Sequence, residues 1–229
     1  MTSHFPETDP LKTVAIGIAR KIIDAGASDN RIMDIMVHLN AFGDHIISKM
    51  EEKDPSSIVA CSSGCSYCCH MQVKVTPPEA FFILQNITTH FTSQSRIRLF
   101  KRIDNNRTLT EGKSLEERVL IKDQTPCVFL TNNTCDIYQA RPMICHAWHA
   151  LDKSACVSAY QSKNSDAEIE TLPSRNYVYG MIREAIKDVC LDMHWEYGLF
   201  ELPFLMDTCF HLNDPLHSWI IGNRLFDRF

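Results

Sequence analysis

The chain has 229 residues, a net charge of −5, and 45% hydrophobic against 22% charged residues. These are globular values for one ordinary domain, or one domain with a helical appendage, and they exclude a disordered or low-complexity chain. The acidic balance argues against a broad nucleic-acid surface, and ten cysteines fall short of the roughly 8–10% of a disulfide scaffold.

The segment Met1 to Glu7 has neither a basic start nor an apolar core, so no secretory leader is expected there. Asp227-Arg228-Phe229 matches no lipidation signal. No stretch approaches the ~20 apolar residues that cross a bilayer. A soluble chain in the reducing cytoplasm is therefore expected, where clustered thiols stay reduced and serve metal or redox chemistry. Neither nucleic acid nor membrane is an expected partner, and the sequence identifies no other.

In chain order, Asp9-Pro10 starts a first helix in which Val14, Ile18 and Ile22 recur at helical spacing, with Gly26 at its end. Ser28 caps a second, whose apolar stripe runs through Ile32, Ile35, Met36, Leu39, Phe42, Ile46 and Met50. The pair reads as a helical hairpin over residues 1–53. Lys53-Asp54-Pro55-Ser56-Ser57 then links it to a cysteine region, residues 54–150. Within that region Thr76-Pro77-Pro78-Glu79 is a capping box with proline in the first turn. The helix it opens buries Ala80, Leu84, Ile87 and Phe91.

A basic helix follows, with Arg96, Arg98, Lys101, Arg102 and Arg107 around Ile97, Phe100 and Ile103, and reads as a solvated charged face. Leu115 and Val119 suggest a short helix before Pro126, and Val128-Phe129-Leu130 a short extended segment. Residues 151–229 read as helices packing on the rest. Pro173-Ser174 opens one with Ile182, Ile186, Val189 and Met193 on a face; Leu202, Leu205, Met206 and Cys209 mark another, and Leu216, Trp219 and Ile220 a last. The expected fold is mostly α, a helical domain around an irregular cysteine-rich centre, compact overall.

Seven of the ten cysteines fall in two groups. Cys61, Cys65, Cys68 and Cys69 occupy nine positions, and Cys127, Cys135 and Cys145 follow after a long gap. Two thiolates at the spacing of Cys65 and Cys68 converge on one metal, because a tight turn brings both sulfurs to one side, and Gly64 supplies the backbone freedom for it. Seven thiols exceed the four that one tetrahedral zinc uses. Zinc, two metals sharing ligands, and an iron–sulfur cluster all remain open on spacing. Cys156, Cys190 and Cys209 read as small core hydrophobes. His70, His146 and His149 stand near clustered cysteines as further ligands or hydrogen-bonding neighbours, whereas His38, His45 and His194 fall inside helical runs.

The pattern Cys-x3-Cys-x2-Cys-Cys, then Pro126-Cys127-x-Phe129-Leu130, Cys135-x-Ile137-Tyr138-x-x-Arg141-Pro142 and a closing Cys145 resembles the YkgJ-type cysteine-cluster family. That resemblance spans about residues 61–149 and implies a zinc- or iron-chelating domain of CxxCxxCC type. It places the family's cysteines on Cys61, Cys65, Cys68, Cys69, Cys127, Cys135 and Cys145. Members often carry arginine after the last cysteine, where this chain has His146; Arg141 remains to hydrogen-bond a carboxylate or a sulfur. A more distant likeness to flagellin lysine N-methylases implies an alternative, an iron–sulfur-dependent methyltransferase using S-adenosylmethionine, or a redox enzyme. No Gly-rich nucleotide loop follows a strand, so methyl transfer would need the cluster region itself to bind the donor. A third reading is an interaction protein with purely structural zinc.

Overall fold

The computed structural model describes residues 9–26, 30–54, 59–162, 164 and 167–226. The expectations placed on Met1 to Glu7, Ser28, Pro55 to Ser57 and residues 227–229 lie outside them. The chain is mostly α: ten helices and four two-residue strands among the described residues.

Asp9 caps α1 (Pro10–Asp24), its carboxylate accepting from the Leu11 N–H at 2.8 Å. Ile18 and Ile22 pack against the core as expected, but the most buried residues are not those of the expected stripe. Val14 is exposed, and Ala15 and Ala19 are buried, because α1 is seated closely on two helices at once and small side chains permit that approach. Those helices are α2 (Arg31–Lys53) and α8 (Pro173–Asp192). Gly43 brings α2 and α8 together: a Cβ there would stand 2.8 Å from Ile182 Cδ1. Ile32, Ile35, Met36 and Leu39 are buried as expected, while Met50 and Met193 are exposed ends of their stripes. His194 lies past α8 in the left-handed region, not within the helix.

Thr76 and Glu79 form the expected capping box at the start of α3 (Pro77–His90), which buries Ala80, Phe81, Ile83 and Ile87. In α4 (Ser93–Thr110) the buried apolar residues are Leu99 and Ile103, and Ile97 and Phe100 are exposed; Phe100 meets the Phe210 ring edge-on at 4.6 Å. Both α3 and α4 pack on α9 (Leu202–His211). Trp219, in α10 (Pro215–Ile220), is fully buried beside Phe81 and Trp195. Burying a side chain of the size of Phe81 stabilises by about 1.5–3 kcal/mol.

Strand β1 (Lys74–Val75) pairs antiparallel with β4 (Phe200–Glu201), joining the cysteine region to the start of α9. Strands β2 (Leu130–Thr131) and β3 (Thr134–Cys135) make a hairpin turned by Asn132 and Asn133, both at positive φ, as a two-residue hairpin turn requires. Of the expected extended segment only Leu130 is strand; Val128 and Phe129 are buried in a turn. The short α5 (Leu115–Leu120) forms as expected. Helices α6 (Met143–Ala147) and α7 (Lys153–Ser162) are additions to the expected set. No helix among the described residues is long and apolar enough to cross a membrane.

Candidate metal centre

The seven clustered cysteines lie on short, irregular pieces held by the helices. Cys61 follows a segment whose Ala60 N–H bonds the Ala150 carbonyl at 2.9 Å, so the two ends of the cysteine region meet. A tight turn closed by Cys65 N–H to Ser62 O (3.0 Å), with Gly64 at φ +84°, delivers Cys65. Cys68 and Cys69 sit on one 3-10 turn, Tyr67–His70. Cys127 precedes β2, Cys135 ends β3, and Cys145 lies on α6. The two groups are joined by Cys127 N–H to the Cys69 carbonyl at 2.6 Å, and by Ser66 Oγ to Asn133 Oδ1 at 3.0 Å. All ten cysteines are free thiols.

Electrostatics relates the seven. Burial pushes the Cys61 thiol up, and charge on Cys65 and Cys68 adds to the shift. Burial also pushes Cys127 up to about 12 and Cys145 well above its ordinary range, with charge on Cys68 and Cys135 contributing to both. Cys135 is raised by burial and feels Cys68 as well. A side-chain hydrogen bond with Cys69, followed by burial, raises Cys68 itself. Cys68 is thus within electrostatic reach of both groups.

Opposing these shifts, backbone N–H groups hydrogen-bond to sulfur: Ala150 to Cys61, Phe129 to Cys127, and Ile137 to Cys135. Such bonds favour the thiolate, which is the ligating form, and recur around metal–sulfur centres. Among the described residues no three His, Cys, Asp or Glu side chains already stand where they could hold an ion. The donor chemistry of the cysteine groups fits zinc or iron.

Matched against known protein families, residues 60–172 fit the one described as "CxxCxxCC: Putative zinc- or iron-chelating domain". This segment belongs to the CxxCxxCC family. The YkgJ-type resemblance is to the same family, and its match extends past residue 149 to take in α7. No curated protein and no solved structure matches the chain.

Within the CxxCxxCC domain, α7 brings an eighth thiol to the centre. Cys156 is buried, as expected of a core residue, yet charge on Cys61, Cys65 and Cys68 reaches it. Cys190 and Cys209 are buried and pushed to about 12 by burial alone. Arg102, read from sequence as part of a solvated face, clamps the β2–β3 hairpin. Its Nη1 donates to Leu130 O (3.1 Å) and Thr131 Oγ1 (2.7 Å), and its Nη2 to Asp136 (3.1 Å). Its positive charge favours the Cys127 thiolate. Arg141 lies 4.2 Å over the Tyr138 ring, and its charge favours the thiolate of Cys135.

The histidines divide. His70 places Nδ1 3.1 Å from the Lys122 carbonyl and its ring against Tyr160. His146 is buried, with Nδ1 2.9 Å from Tyr179 Oη and 3.2 Å from Asp44 Oδ1. Tyr179 donates to Asp44 at 2.7 Å, Arg141 Nη2 lies 3.2 Å from the same His146 Nδ1, and the other ring nitrogen is Nε2. That atom is buried without a partner among the described residues. Although burial opposes it, hydrogen bonds from His146 and Tyr179 hold the Asp44 carboxyl below its usual range.

His149 is depressed to about 4 by burial and by the charges of Arg175 and Arg141; Arg175 Nη1 lies 3.3 Å from the ring. An unfolded chain protonates this histidine below about 6.5 while the folded one stays neutral, so stability is lost as pH falls from 6.5 towards 4. Because His149 is part exposed, solvent screening reduces the expected loss to about 1–2 kcal/mol. Urea unfolding across that window should show a shallower acid loss for His149→Gln than for wild type; parallel curves would refute the assignment.

Proposed function

We propose that this chain is a metal-binding protein whose two cysteine groups hold one polynuclear thiolate centre, either an iron–sulfur cluster or zinc ions sharing a bridging sulfur. Cys61, Cys65, Cys68 and Cys69 supply one side and Cys127, Cys135 and Cys145 the other. The observation that carries the reading is the position of Cys68, whose charge is felt by Cys61 and also by Cys127, Cys135 and Cys145. A single tetrahedral ion uses four ligands and leaves the rest as buried thiols with raised pKa. Two zinc ions sharing one bridging sulfur take all seven, and a cluster takes four drawn from both groups and leaves the others beside it. Free thiols throughout suit a reducing, cytoplasmic setting.

Anaerobic purification with metal and sulfide analysis tests this. Iron with matching sulfide and a brown visible spectrum is the expected result for a cluster. For the zinc form, the protein is colourless and carries more than one zinc per chain. A single zinc per chain would overturn the polynuclear centre, and metal-free protein would overturn metal binding altogether.

A further inference from the structure

A cavity of about 440 Å³ opens against the cysteine cluster, with Cys68, Cys127 and Cys156 in its wall. Its size is that of a small-molecule pocket. The rest of the wall is mainly apolar, supplied by residues such as Val73, Ile144 and Leu199. Its charge is unlike that of the whole chain. The protein carries −5, yet the described lining residues include four cations, Lys74, Arg118, Lys122 and Arg183, against one carboxylate, Glu201.

That carboxylate is taken by Arg118 at 2.8 Å, although Lys74 stands opposite it in the β1–β4 register. Lys122 donates to the Ala159 carbonyl at 2.9 Å. Lys74 and the half-buried Arg183 have no carboxylate partner among the described residues. A separate observation also points to a missing acceptor. Trp148 lines the same cavity, and its indole N–H is buried with no hydrogen-bond partner among the described residues. A buried donor without an acceptor is costly, and a ligand acceptor would satisfy it.

We infer that this cavity binds an amphiphilic organic anion, its apolar body in the wall and its charged head at Arg183 and Lys74. Bound there, the ligand lies beside Cys68 and Cys127, so the thiolate centre faces a small molecule rather than bulk protein. The inference goes beyond the metal-binding reading and does not depend on which metal the thiols hold.

Two fluorescent probes of nearly the same body separate the head from the wall: anilinonaphthalene sulfonate, an anion, and N-phenylnaphthylamine, which is neutral. Titrated into the full-length protein, the sulfonate should bind saturably at one site per chain. Charged hydrogen bonds of this kind make Arg183→Gln weaken it by roughly 10- to 100-fold. The neutral probe, lacking the head, should change by no more than about twofold for the same variant. Lys101→Gln, on exposed α4 surface and outside the cavity, should leave both probes unchanged. Sulfonate binding that is unsaturable, that ignores Arg183→Gln, or that falls in step with the neutral probe would overturn the inference. Metal content is measured on each sample. Normal metal with no anion site refutes this inference alone, whereas an anion site in metal-free protein refutes the metal reading alone.

Discussion

Cys127→Ser is expected to strip the protein of metal and lower its melting temperature by about 10 °C. Cys127 is where the two cysteine groups meet: its own N–H is bonded to Cys69, and its sulfur receives the Phe129 N–H. A serine hydroxyl is a harder donor that stays protonated at neutral pH, so it does not replace a thiolate towards zinc or iron. Metal content should fall to roughly a tenth or less, since even changes outside the ligand set cost 10- to 100-fold in affinity. The stability effect follows from chain entropy. Cys69 and Cys127 are 58 positions apart, and closing that loop costs roughly 3–4 kcal/mol. A structural thiolate site contributes about 10–16 kcal/mol in small peptides, so the metal can hold the loop closed. Cys209→Ala is the comparison, because it removes a buried thiol that burial alone perturbs. It should lose some stability and keep its metal. Equal metal content in the two variants would sink the assignment of Cys127.

Local chemistry explains what could be read from sequence in this fold. Asp9-Pro10 and Thr76-Pro77-Pro78-Glu79 carry their capping instructions within four residues, and both start helices where expected. The cysteine groups are equally local, and their spacing alone points to metal binding. What could not be read depends on partners distant in the chain. Periodicity locates an apolar stripe, but it does not tell that α1 would use Ala15 and Ala19 in place of Val14, since that follows from the closeness of α8. At five residues, α6 is too short to show a period. Arg102 looks like any cation of a basic helix until the β2–β3 hairpin, 28 positions on, supplies its acceptors. His146 is similar, since its partners Asp44 and Tyr179 come from α2 and α8, 102 and 33 positions away. Cys156 stands beside the first cysteine group only because α7 packs on the 3-10 turn of Cys68 and Cys69.

Glu79→Ala should be among the most damaging substitutions outside the cysteines, at about 3–5 kcal/mol. Among the described residues the same capping motif occurs twice, which makes the effect separable. In α5, Glu117 accepts from the Ser114 N–H at 2.7 Å in an exposed turn. Water replaces that bond readily, so Glu117→Ala should cost about 1 kcal/mol or less. In α3 the carboxylate is only 3% exposed. Its Oε2 accepts from Thr76 N–H at 2.8 Å and from Thr76 Oγ1 at 2.7 Å, and its Oε1 accepts from Met143 N–H at 2.8 Å. Alanine there leaves two backbone donors and a hydroxyl without partners in a dry interior, each costing about 1–3 kcal/mol. Glutamine restores only one side, because its NH2 would face a donor. The Met143 bond also ties the first turn of α3 to the first residue of α6, the helix that carries Cys145. Loss of that tie should therefore reach the metal, with affinity falling 10- to 100-fold as for other groups that orient ligands. Urea unfolding and metal titration of the two variants side by side decide the matter. Similar costs at Glu79 and Glu117 would mean that burial does not govern this motif, and unchanged metal affinity in Glu79→Ala would mean that α6 is positioned by other contacts.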